Sequence, residues 1–325
     1  MKTENIMIIG CGAMTENFYL PAMLKQRSRI GKIILIDRNE GRLNYLAHKF
    51  GVSILASDYS KVNDRVDGII IATPPASHFS IIMSLVSRSI PILCEKPLVE
   101  NSTEVEEIIA ASKRYKTPVA INNTRRFFPS YKKVKELLQT GVIGKICRVE
   151  YHEGAEYAWP TVSGFYFNSG KKGVLMDRGP HVLDLLCWWL VEKPSVVSFQ
   201  DDSFGGPEAV CEIDFKVGSI IGNVRLSWLT KLANRFRIEG DMGSIEGSIY
   251  EWDRIVLNAN GKPKIVKTPS KIRSFDNFAY IVLSDFLNCI QEGSAPAVQP
   301  PDVCNSLVFI DECYAMRKKF QMTWL

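Results

Sequence analysis

Short apolar runs alternate with helix-forming segments through the first 121 residues, and no other feature of the sequence limits the possible folds as strongly. The runs are rich in β-branched residues and are apolar without interruption, so both faces of each strand are expected to be buried. In chain order they lie at 6–9, 32–36, 68–72, 91–94 and 118–121, with a weaker sixth run around Ile54. Helical patterns separate them near 13–26, 40–50, 78–88 and 103–115. This order predicts an α/β fold in which helices cover both faces of a doubly wound parallel sheet.

The pattern changes after residue 121. One strand is expected in the stretch KICRVEYHEG, and a helix follows at about 180–191. From 195 to 260 several strands alternate apolar with polar residues, which is typical of an antiparallel sheet with one wetter face. Two helical segments, at about 276–291 and 303–320, close the chain.

Length and composition set further limits. A chain of 325 residues is long enough for two domains, which we place at 1–121 and 122–325. The formal net charge of +5 is spread without a long basic run, so no nucleic-acid partner is expected. No apolar run approaches the roughly 20 residues of a membrane helix, and no signal-peptide pattern is visible, which predicts a cytoplasmic protein without a membrane partner. The eight cysteines show no two-residue spacing, which predicts free thiols and no metal site.

The stretch GCGAMT follows the first apolar run and opens the first helical pattern. Gly10 permits a tight turn, and Gly12 lets backbone N–H groups approach a pyrophosphate at the helix N-terminus. We place Ala13 and Met14 in the same cofactor site. A strand, a glycine turn and a helix in this order are the context of a dinucleotide-binding motif, although Thr15 replaces its third glycine. The alternative is a tight turn between two buried elements.

A carboxylate stands at the end of the second apolar run. Asp37, in ILIDR, lies 22 residues after Thr15. An acid at this place accepts hydrogen bonds from both ribose hydroxyls and repels a 2′-phosphate. The neighbouring Arg38 is able to pair with such a phosphate. The two residues therefore predict NAD as the cofactor and leave NADP as the alternative.

Three further stretches give the chain a resemblance to a known family. They are ATPPASH at 72–78, CEKPL at 94–98 and GVLMDRGPHVLDLL at 173–186. With the glycine turn and Asp37, and in this order along essentially the whole chain, they resemble the glucose–fructose oxidoreductase, inositol dehydrogenase and MocA (Gfo/Idh/MocA) family. The resemblance implies a Rossmann domain followed by an α/β domain with a large, mostly antiparallel sheet, and a homodimer or homotetramer. It also implies oxidation or reduction of a secondary alcohol carbon on a sugar, a nucleotide sugar or a cyclitol.

The resemblance assigns the catalytic positions to Lys96, Asp177 and His181. Lys96 matches a lysine that hydrogen-bonds the reacting oxygen and stabilises its developing charge, and with Glu95 it is also placed at the cofactor. His181 matches a group that exchanges a proton with the substrate hydroxyl, because an imidazole titrates near neutral pH. If the helix begins near Asp177, this carboxylate shares a face with His181 and orients it or binds a neighbouring hydroxyl. The alternatives are a solvated lysine and a histidine satisfied at a helix start.

Other family matches lie around the cofactor. Thr73 and Pro74 match the turn beside the nicotinamide ribose, and His78 either belongs to that turn or caps the following helix. The resemblance implies a cis peptide bond before Pro97. Arg126, in TRRFFP, matches a segment near the active site and is a candidate contact to substrate or cofactor; an interdomain ion pair is the alternative.

The stretch HEGAEYAWPTVSGFYF is rich in aromatic residues. Sugar sites commonly offer aromatic faces to C–H surfaces and polar tips to hydroxyls, so Tyr157, Trp159 and Tyr166 are candidate substrate residues. Core packing or an oligomer interface is the alternative. Lys171 or Lys172 is a candidate contact to an anionic substrate, with a solvated loop as the alternative.

The sequence thus predicts an NAD(P)-dependent oxidoreductase with a small carbohydrate-like substrate. One alternative is a glycosidase or lyase that uses tightly bound NAD in a transient oxidation; the lack of an obvious extra carboxylate pair disfavours it. The second alternative is a non-catalytic NAD(P)-sensing protein. The presence of Lys96, Asp177 and His181 argues against that reading.

Overall fold

The structure, a computed structural model, describes residues 3–52, 54–158, 172–203, 206–268, 272, 274 and 276–321. These residues form two compact units. The first contains the chain up to Thr124 and the described residues from 272 to 304. The second begins at Arg125 and includes 305–321. The chain therefore returns to the first unit late in the sequence, whereas our linear division changes domain only once, after residue 121.

The first unit is built on a six-stranded sheet. Its strands pair in the order β3-β2-β1-β4-β5-β6, and each pairing is parallel. The strand order reverses between β1 and β4, so the carboxyl ends of these strands border the crevice where such sheets bind ligands. This architecture confirms the predicted doubly wound sheet. The strands are β1 (Glu4–Ile9), β2 (Ile30–Ile36), β3 (Ile54–Ala56), β4 (Gly68–Ile71), β5 (Ile92–Glu95) and β6 (Val119–Asn122).

Most α-helices of the described residues lie where the sequence patterns predict them. In chain order they are α1 (Leu20–Lys25), α2 (Glu40–Phe50), α3 (His78–Leu85), α4 (Ser102–Tyr115), α5 (Pro129–Gln139), α6 (Val174–Leu190), α7 (Asp276–Glu292) and α8 (Pro300–Ala315). Helix α7 packs in the first unit, where Arg29 hydrogen-bonds Asn288 and Gln291. A Cβ at Gly68 would lie 2.5 Å from the side chain of Ile290, so glycine at the start of β4 lets this helix approach the sheet.

The second unit contains a nine-stranded sheet in the order β14-β13-β12-β11-β7-β10-β9-β8-β15. Only the β10–β7 and β15–β8 pairs of the described strands are parallel, so the predicted, mostly antiparallel sheet is confirmed. Burial alternates along β9, with Cys211, Ile213 and Phe215 buried and Asp214 exposed. The strands are β7 (Ile146–Gly154), β8 (Ser195–Asp201), β9 (Val210–Val217), β10 (Ile220–Ser227), β11 (Arg235–Gly240), β12 (Gly243–Ser248), β13 (Arg254–Ala259), β14 (Lys262–Lys267) and β15 (Arg317–Lys319).

Two predicted helices have different limits in the structure. Helix α6 begins at Val174, well before the expected residue 180, because a distant carboxylate caps it. The last helix ends at Ala315 rather than 320. The residues that follow pair with β8, where Arg317 lies opposite Phe199, and this pairing replaces the end of the predicted helix. None of the helices in the described ranges is long and apolar enough to cross a membrane.

Candidate active site

The glycine turn lies between the carboxyl end of β1 and the first helix. Gly10 has a φ of 99°, and a Cβ built on it would lie 2.6 Å from the carbonyl oxygen of Ala72. The backbone conformation and the close approach of the neighbouring chain therefore both require glycine. Gly12 differs, because a Cβ built there meets no atom within 4 Å. The packing of the described chain does not require glycine at position 12, and the space beside it is open to a ligand.

Thr15 occupies the third position of the glycine motif. Its side chain is buried, and its hydroxyl donates to the carbonyl oxygen of Gly10 at 2.5 Å. A π-helical turn, Thr15–Tyr19, follows, in which the N–H of Leu20 bonds to the carbonyl of Thr15. Pro21, in the following helix, has no N–H with which to continue the series of backbone hydrogen bonds. The wider π-helical turn therefore directly precedes the proline. Thr15 thus closes the turn through its side chain.

The helix N-terminus beside Gly12 presents backbone donors. The first bond along this helix runs from the N–H of Glu16 to the carbonyl of Gly12 at 3.1 Å. This bond is the first of the helix, so the N–H groups of the preceding residues have no acceptor within it. They belong to Ala13, Met14 and Thr15. Donors in this position, together with the positive end of the helix dipole, suit a phosphate group.

Asp37 follows β2 and is fixed by the backbone. Its Oδ2 accepts the N–H of Cys11 at 2.7 Å, and its Oδ1 accepts the N–H of Asn39 at 2.8 Å. The carboxylate is thereby tied to the glycine turn, and each oxygen keeps a lone pair for a ligand hydroxyl. Burial and the nearby Asp37 raise the pKa of the Cys11 thiol to about 12, so this thiol is neutral. Arg38 is exposed.

A charged cluster that the sequence analysis did not single out supports the same turn. Glu16 accepts hydrogen bonds from Arg42, Tyr45 and Lys49, which lie on one face of α2. Arg42 also donates to the carbonyl of Cys11 at 3.0 Å. Although burial acts in the opposite direction, these bonds lower the pKa of Glu16 to about 2. The spacing of the three donors, three and four residues apart along α2, places them on one helix face and is the sequence feature that could have predicted this cluster.

His78 joins the turn after β4 to the loop after β5. One ring nitrogen, Nε2, lies 2.8 Å from the carbonyl oxygen of Thr73, and Nδ1 lies 2.9 Å from that of Pro97. Burial lowers the pKa of His78, although these hydrogen bonds act in the opposite direction. The ring is completely buried, so His78 positions the two loops instead of offering its ring to a ligand. Pro74, in the same turn, is exposed.

Lys96 follows the carboxyl end of β5 and precedes a cis peptide bond to Pro97, as the family resemblance implies. The buried carboxylate of Glu95 accepts a hydrogen bond from the Tyr19 hydroxyl at 2.6 Å and from the Asn122 side chain at 2.7 Å. Its other oxygen accepts the N–H of Lys96 at 3.3 Å. The backbone at Lys96 is therefore anchored to the first helix and to β6.

The protonation states of this network follow from its burial. Burial raises the pKa of Glu95, while the bonds from Tyr19 and Asn122 act in the opposite direction. Burial and the adjacent Glu95 raise the pKa of Tyr19 well above its usual value of 10, so its hydroxyl remains a donor. Thr124 donates to Oδ1 of Asn122 at 2.8 Å, which turns the amide nitrogen toward Glu95. Three donors thus converge on one carboxyl group.

Asp177 and His181 lie one turn apart in the N-terminal half of α6. This spacing places both side chains on the same face of the helix, as predicted. The indole N–H of Trp228, just after β10, donates to Oδ2 of Asp177 at 3.1 Å. Trp228 is buried, so it gives the carboxylate a fixed partner.

The N-terminus of α6 is capped by Glu208, from the segment between β8 and β9. One oxygen of its buried carboxylate accepts the N–H groups of Gly173 and Leu175, both at 3.0 Å, and the hydroxyl of Tyr314 at 2.8 Å. A Cβ at Gly173 would lie 2.0 Å from the carbonyl oxygen of Glu208, so glycine there permits the contact. Arg317 pairs with the other oxygen at 3.3 Å. Glu208 therefore positions the helix that carries Asp177 and His181.

Arg126 is held by an acid of the same helix. Its Nε and Nη2 donate to the two carboxylate oxygens of Asp184 at 2.7 and 2.6 Å. Both residues are buried, and the guanidinium lies over the ring of Trp188 at 5.4 Å. The two residues belong to the same compact unit, so the pair is not the interdomain contact named as the alternative. The guanidinium binds Asp184 and anchors α6, which leaves Arg126 a less favoured substrate contact.

The aromatic candidates are only partly within the described residues. Tyr157 packs against Trp228, with ring centroids 5.1 Å apart, and its N–H donates to the Trp228 carbonyl at 2.9 Å. Tyr157 therefore lies close to the partner of Asp177. Trp159, Tyr166 and Lys171 lie outside the described residues, and Lys172 is half-buried.

Two family models match this chain, one for each of its sheets. Residues 4–123 match an oxidoreductase family with an NAD-binding Rossmann fold, and residues 131–246 match the Gfo/Idh/MocA C-terminal domain. The chain belongs to the Gfo/Idh/MocA oxidoreductase family. The resemblance carried by the glycine turn, the Glu-Lys-Pro motif and the Asp-x-x-x-His motif is confirmed.

Relatives of this family member align over most of its length. An oxidoreductase from Formosa agariphila is 28% identical over 272 residues, which are 78% of this chain and 82% of the relative. The NAD-dependent scyllo-inositol 2-dehydrogenase of Bacillus subtilis is 27% identical, over 83% of this chain and 82% of its own. A levoglucosan dehydrogenase solved with NADH and levoglucosan has the same fold, with a TM-score of 0.84, 19% identity and 97% of each chain covered.

The Rossmann unit of this Gfo/Idh/MocA protein fits NAD on its own geometry. The space beside Gly12 is open, the N–H groups of Ala13 and Met14 have no acceptor within the helix, and the Asp37 carboxylate is fixed at the end of β2. Among the residues placed by the structure, no group of three or more metal-ligating side chains occurs. All eight cysteines are free thiols, and six of them are buried.

Proposed function

We propose that this NAD(P)-dependent oxidoreductase transfers a hydride to or from a secondary alcohol carbon of a sugar, a nucleotide sugar or a cyclitol. The observation that carries the proposal is the position of Lys96. It follows the carboxyl end of β5, beside the strand-order reversal, on a backbone anchored through Glu95. Ligands of open α/β sheets bind at this edge.

Each of the three proposed catalytic residues has a separate task. When bound, NAD supplies the hydride acceptor or donor. Lys96 donates a hydrogen bond to the reacting oxygen and stabilises the negative charge that develops there. His181 exchanges the proton of the substrate hydroxyl, and Asp177, fixed by Trp228, binds a neighbouring hydroxyl or orients His181.

We propose NAD rather than NADP as the preferred cofactor. The carboxylate of Asp37 is fixed by two backbone N–H groups and cannot turn away from a ligand bound at the glycine turn. A 2′-phosphate there meets this negative charge, whereas ribose hydroxyls find acceptors. The exposed Arg38 is the group that would reduce the preference.

The names of relatives support the substrate class. They include the scyllo-inositol 2-dehydrogenase and the levoglucosan dehydrogenase described above. We also propose a homodimer or homotetramer, supported by Val197 and Ile221, strand residues that are 52% and 53% exposed. Light scattering of the purified protein measures the assembly, and a monomeric mass would contradict it.

The test of the function is a substrate panel read by NADH absorbance. The protein is mixed with NAD or NADP and with hexoses, uronates, inositols and nucleotide sugars. We expect reduction of the cofactor with at least one member and a preference for NAD. If nothing reduces added cofactor, the purified protein is assayed for bound nucleotide and for cleavage of glycosides. Cleavage with no net redox would support the transient-oxidation alternative, and tight binding without turnover would support a sensor.

A further inference from the structure

The second unit contains two arginines beside one buried carboxylate, next to the catalytic helix residues. Glu153, on β7, accepts two parallel hydrogen bonds from the guanidinium of Arg125, both at 2.7 Å. Arg125 donates to the Tyr151 hydroxyl as well, at 2.6 Å. Both oxygens of Glu153 are therefore already bound in the bidentate geometry that arginine and carboxylate favour.

Arg178 is the second arginine, and it directly follows Asp177 on α6. Its side chain is only 13% exposed. Nη2 donates to the carbonyl of Ala155 at 3.3 Å, while Nη1 lies 3.9 Å from Glu153, too far for a hydrogen bond. Within the described part of the chain, Nη1 is buried without a hydrogen-bond acceptor. A buried guanidinium thus has donor capacity that the described residues do not satisfy.

The surroundings of Arg178 connect it to the substrate residues. Tyr157 packs on Trp228, which holds Asp177. The pKa of Tyr157 is raised by burial and by Asp177 and lowered by Arg178, as expected if both charges lie near its hydroxyl. The charged groups near the guanidinium of Arg178 are therefore Arg125, Glu153 and Asp177. Glu153 is bound by Arg125 and Asp177 by Trp228, and neither carboxylate accepts a hydrogen bond from Nη1 of Arg178.

We propose that Arg178 binds an oxyanion of the substrate, which makes the preferred substrate an acidic sugar carrying a carboxylate or a phosphate group. This inference rests on the proposed function, because it names the substrate class of the same site. The planar guanidinium fork offers two parallel donors to such a group. A substrate without the anion leaves the buried donor unsatisfied and is therefore selected against.

The experiment compares matched pairs of sugars that differ only in the anionic group. Wild-type protein with NAD is assayed on glucose and glucuronate, galactose and galacturonate, and mannose and mannuronate, with a phosphate ester of each hexose as a further arm. We expect kcat/KM on acidic members to exceed that on neutral ones by at least about tenfold. The carboxylate and phosphate arms identify which oxyanion is bound.

Three variants test the residue. Arg178→Met should lower kcat/KM on the preferred acidic sugar at least about tenfold and change it less than about threefold on the neutral partner. Arg178→Lys keeps the charge and the fold but loses the fork, and should give an intermediate loss. Arg225→Met, which removes a half-exposed arginine of β10, is the matched control and should change neither.

The outcomes separate this inference from the proposed function. Turnover with no preference for acidic sugars, or an acidic preference that survives in both Arg178→Met and Arg178→Lys, contradicts the role of Arg178 and leaves the oxidoreductase intact. No turnover of any sugar in this set or in the broader panel contradicts both.

Discussion

The hydroxyl of Tyr19 donates a 2.6 Å hydrogen bond to the carboxylate of Glu95, the residue that precedes Lys96. Tyr19 ends the π-helical turn that follows the glycine motif, so this contact joins the helix after the glycine turn to the backbone of Lys96, the proposed catalytic lysine. Asn122, at the end of β6, completes the support. The position of Lys96 thus depends on two elements that are distant in sequence.

We expect Glu95→Gln to impair catalysis more than cofactor binding. A glutamine oxygen can keep both bonds from Tyr19 and Asn122, but its amide then faces the N–H of Lys96, donor against donor. We expect kcat to fall roughly tenfold and the Kd for NAD to change less than about threefold, measured by steady-state kinetics and calorimetry. Tyr19→Phe should act in the same direction, whereas the control Tyr59→Phe should not. Equal losses in NAD binding and kcat would show a general structural role.

The two glycines of the turn should respond differently to alanine. Gly10→Ala places a Cβ 2.6 Å from a carbonyl oxygen at positive φ and should lower the free energy of unfolding by at least about 2 kcal/mol. Gly12→Ala meets no protein atom within 4 Å and should change it by less than about 1 kcal/mol. The same Gly12 variant should weaken NAD binding at least about tenfold, because the methyl group fills the space beside the helix N-terminus. Normal NAD affinity in Gly12→Ala would contradict cofactor binding at the helix N-terminus beside Gly12.

Removing the cap of α6 should destabilise the second unit. In Glu208→Ala the N–H groups of Gly173 and Leu175 lose their buried acceptor, and we expect a loss of about 2–3 kcal/mol in urea denaturation. Glu212→Ala, which removes a partly exposed partner of Arg225, should cost less than about 1 kcal/mol. Similar losses of stability in the two variants would contradict the role of Glu208 as the cap of α6.

The buried Arg126–Asp184 pair gives a second stability test. Asp184→Asn leaves a buried guanidinium without its charge partner, and should cost about 3–5 kcal/mol. The double variant Arg126→Met with Asp184→Leu should recover most of that loss, because neither charge is then buried alone. A double variant as unstable as Asp184→Asn would mean that packing, rather than charge pairing, sets the cost.

Glu16 should make stability depend on pH in the acidic range. Its folded pKa of about 2 lies below the ordinary 4.5, so its contribution is complete above pH 4.5 and is lost as the pH falls toward about 2. Because Lys49 is substantially exposed and screened by solvent, we expect Glu16→Gln to cost only about 1 kcal/mol at neutral pH. The difference from wild type should shrink as the pH drops below 4.5. A difference that is constant with pH would contradict the shift.

The sequence predicts those parts of the fold and the candidate site that depend on local pattern. Continuous apolar runs identify the strands of the first sheet, and the spacing of Asp177 and His181 places them on one helix face. The supports of the site are long-range: Tyr19 and Glu95 are 76 residues apart, and Gly173 and Glu208 are 35 apart. No local propensity encodes such contacts, which is why the start of α6 was expected too late. Arg126 was predicted as a contact to substrate or cofactor, and its buried pair with Asp184, 58 residues further along the chain, was not foreseen.

The role proposed for Lys96 is action on the reacting oxygen of a substrate whose hydride is exchanged with NAD. Its most direct test compares wild type, Lys96→Met and the control Lys113→Met, an exposed lysine of α4. NADH formation is followed on the best substrate of the panel, with NAD affinity measured in parallel. We expect a loss of about 10²- to 10⁴-fold in kcat for Lys96→Met, with NAD affinity little changed and the control unaffected. Turnover by Lys96→Met at a rate close to wild type would contradict it.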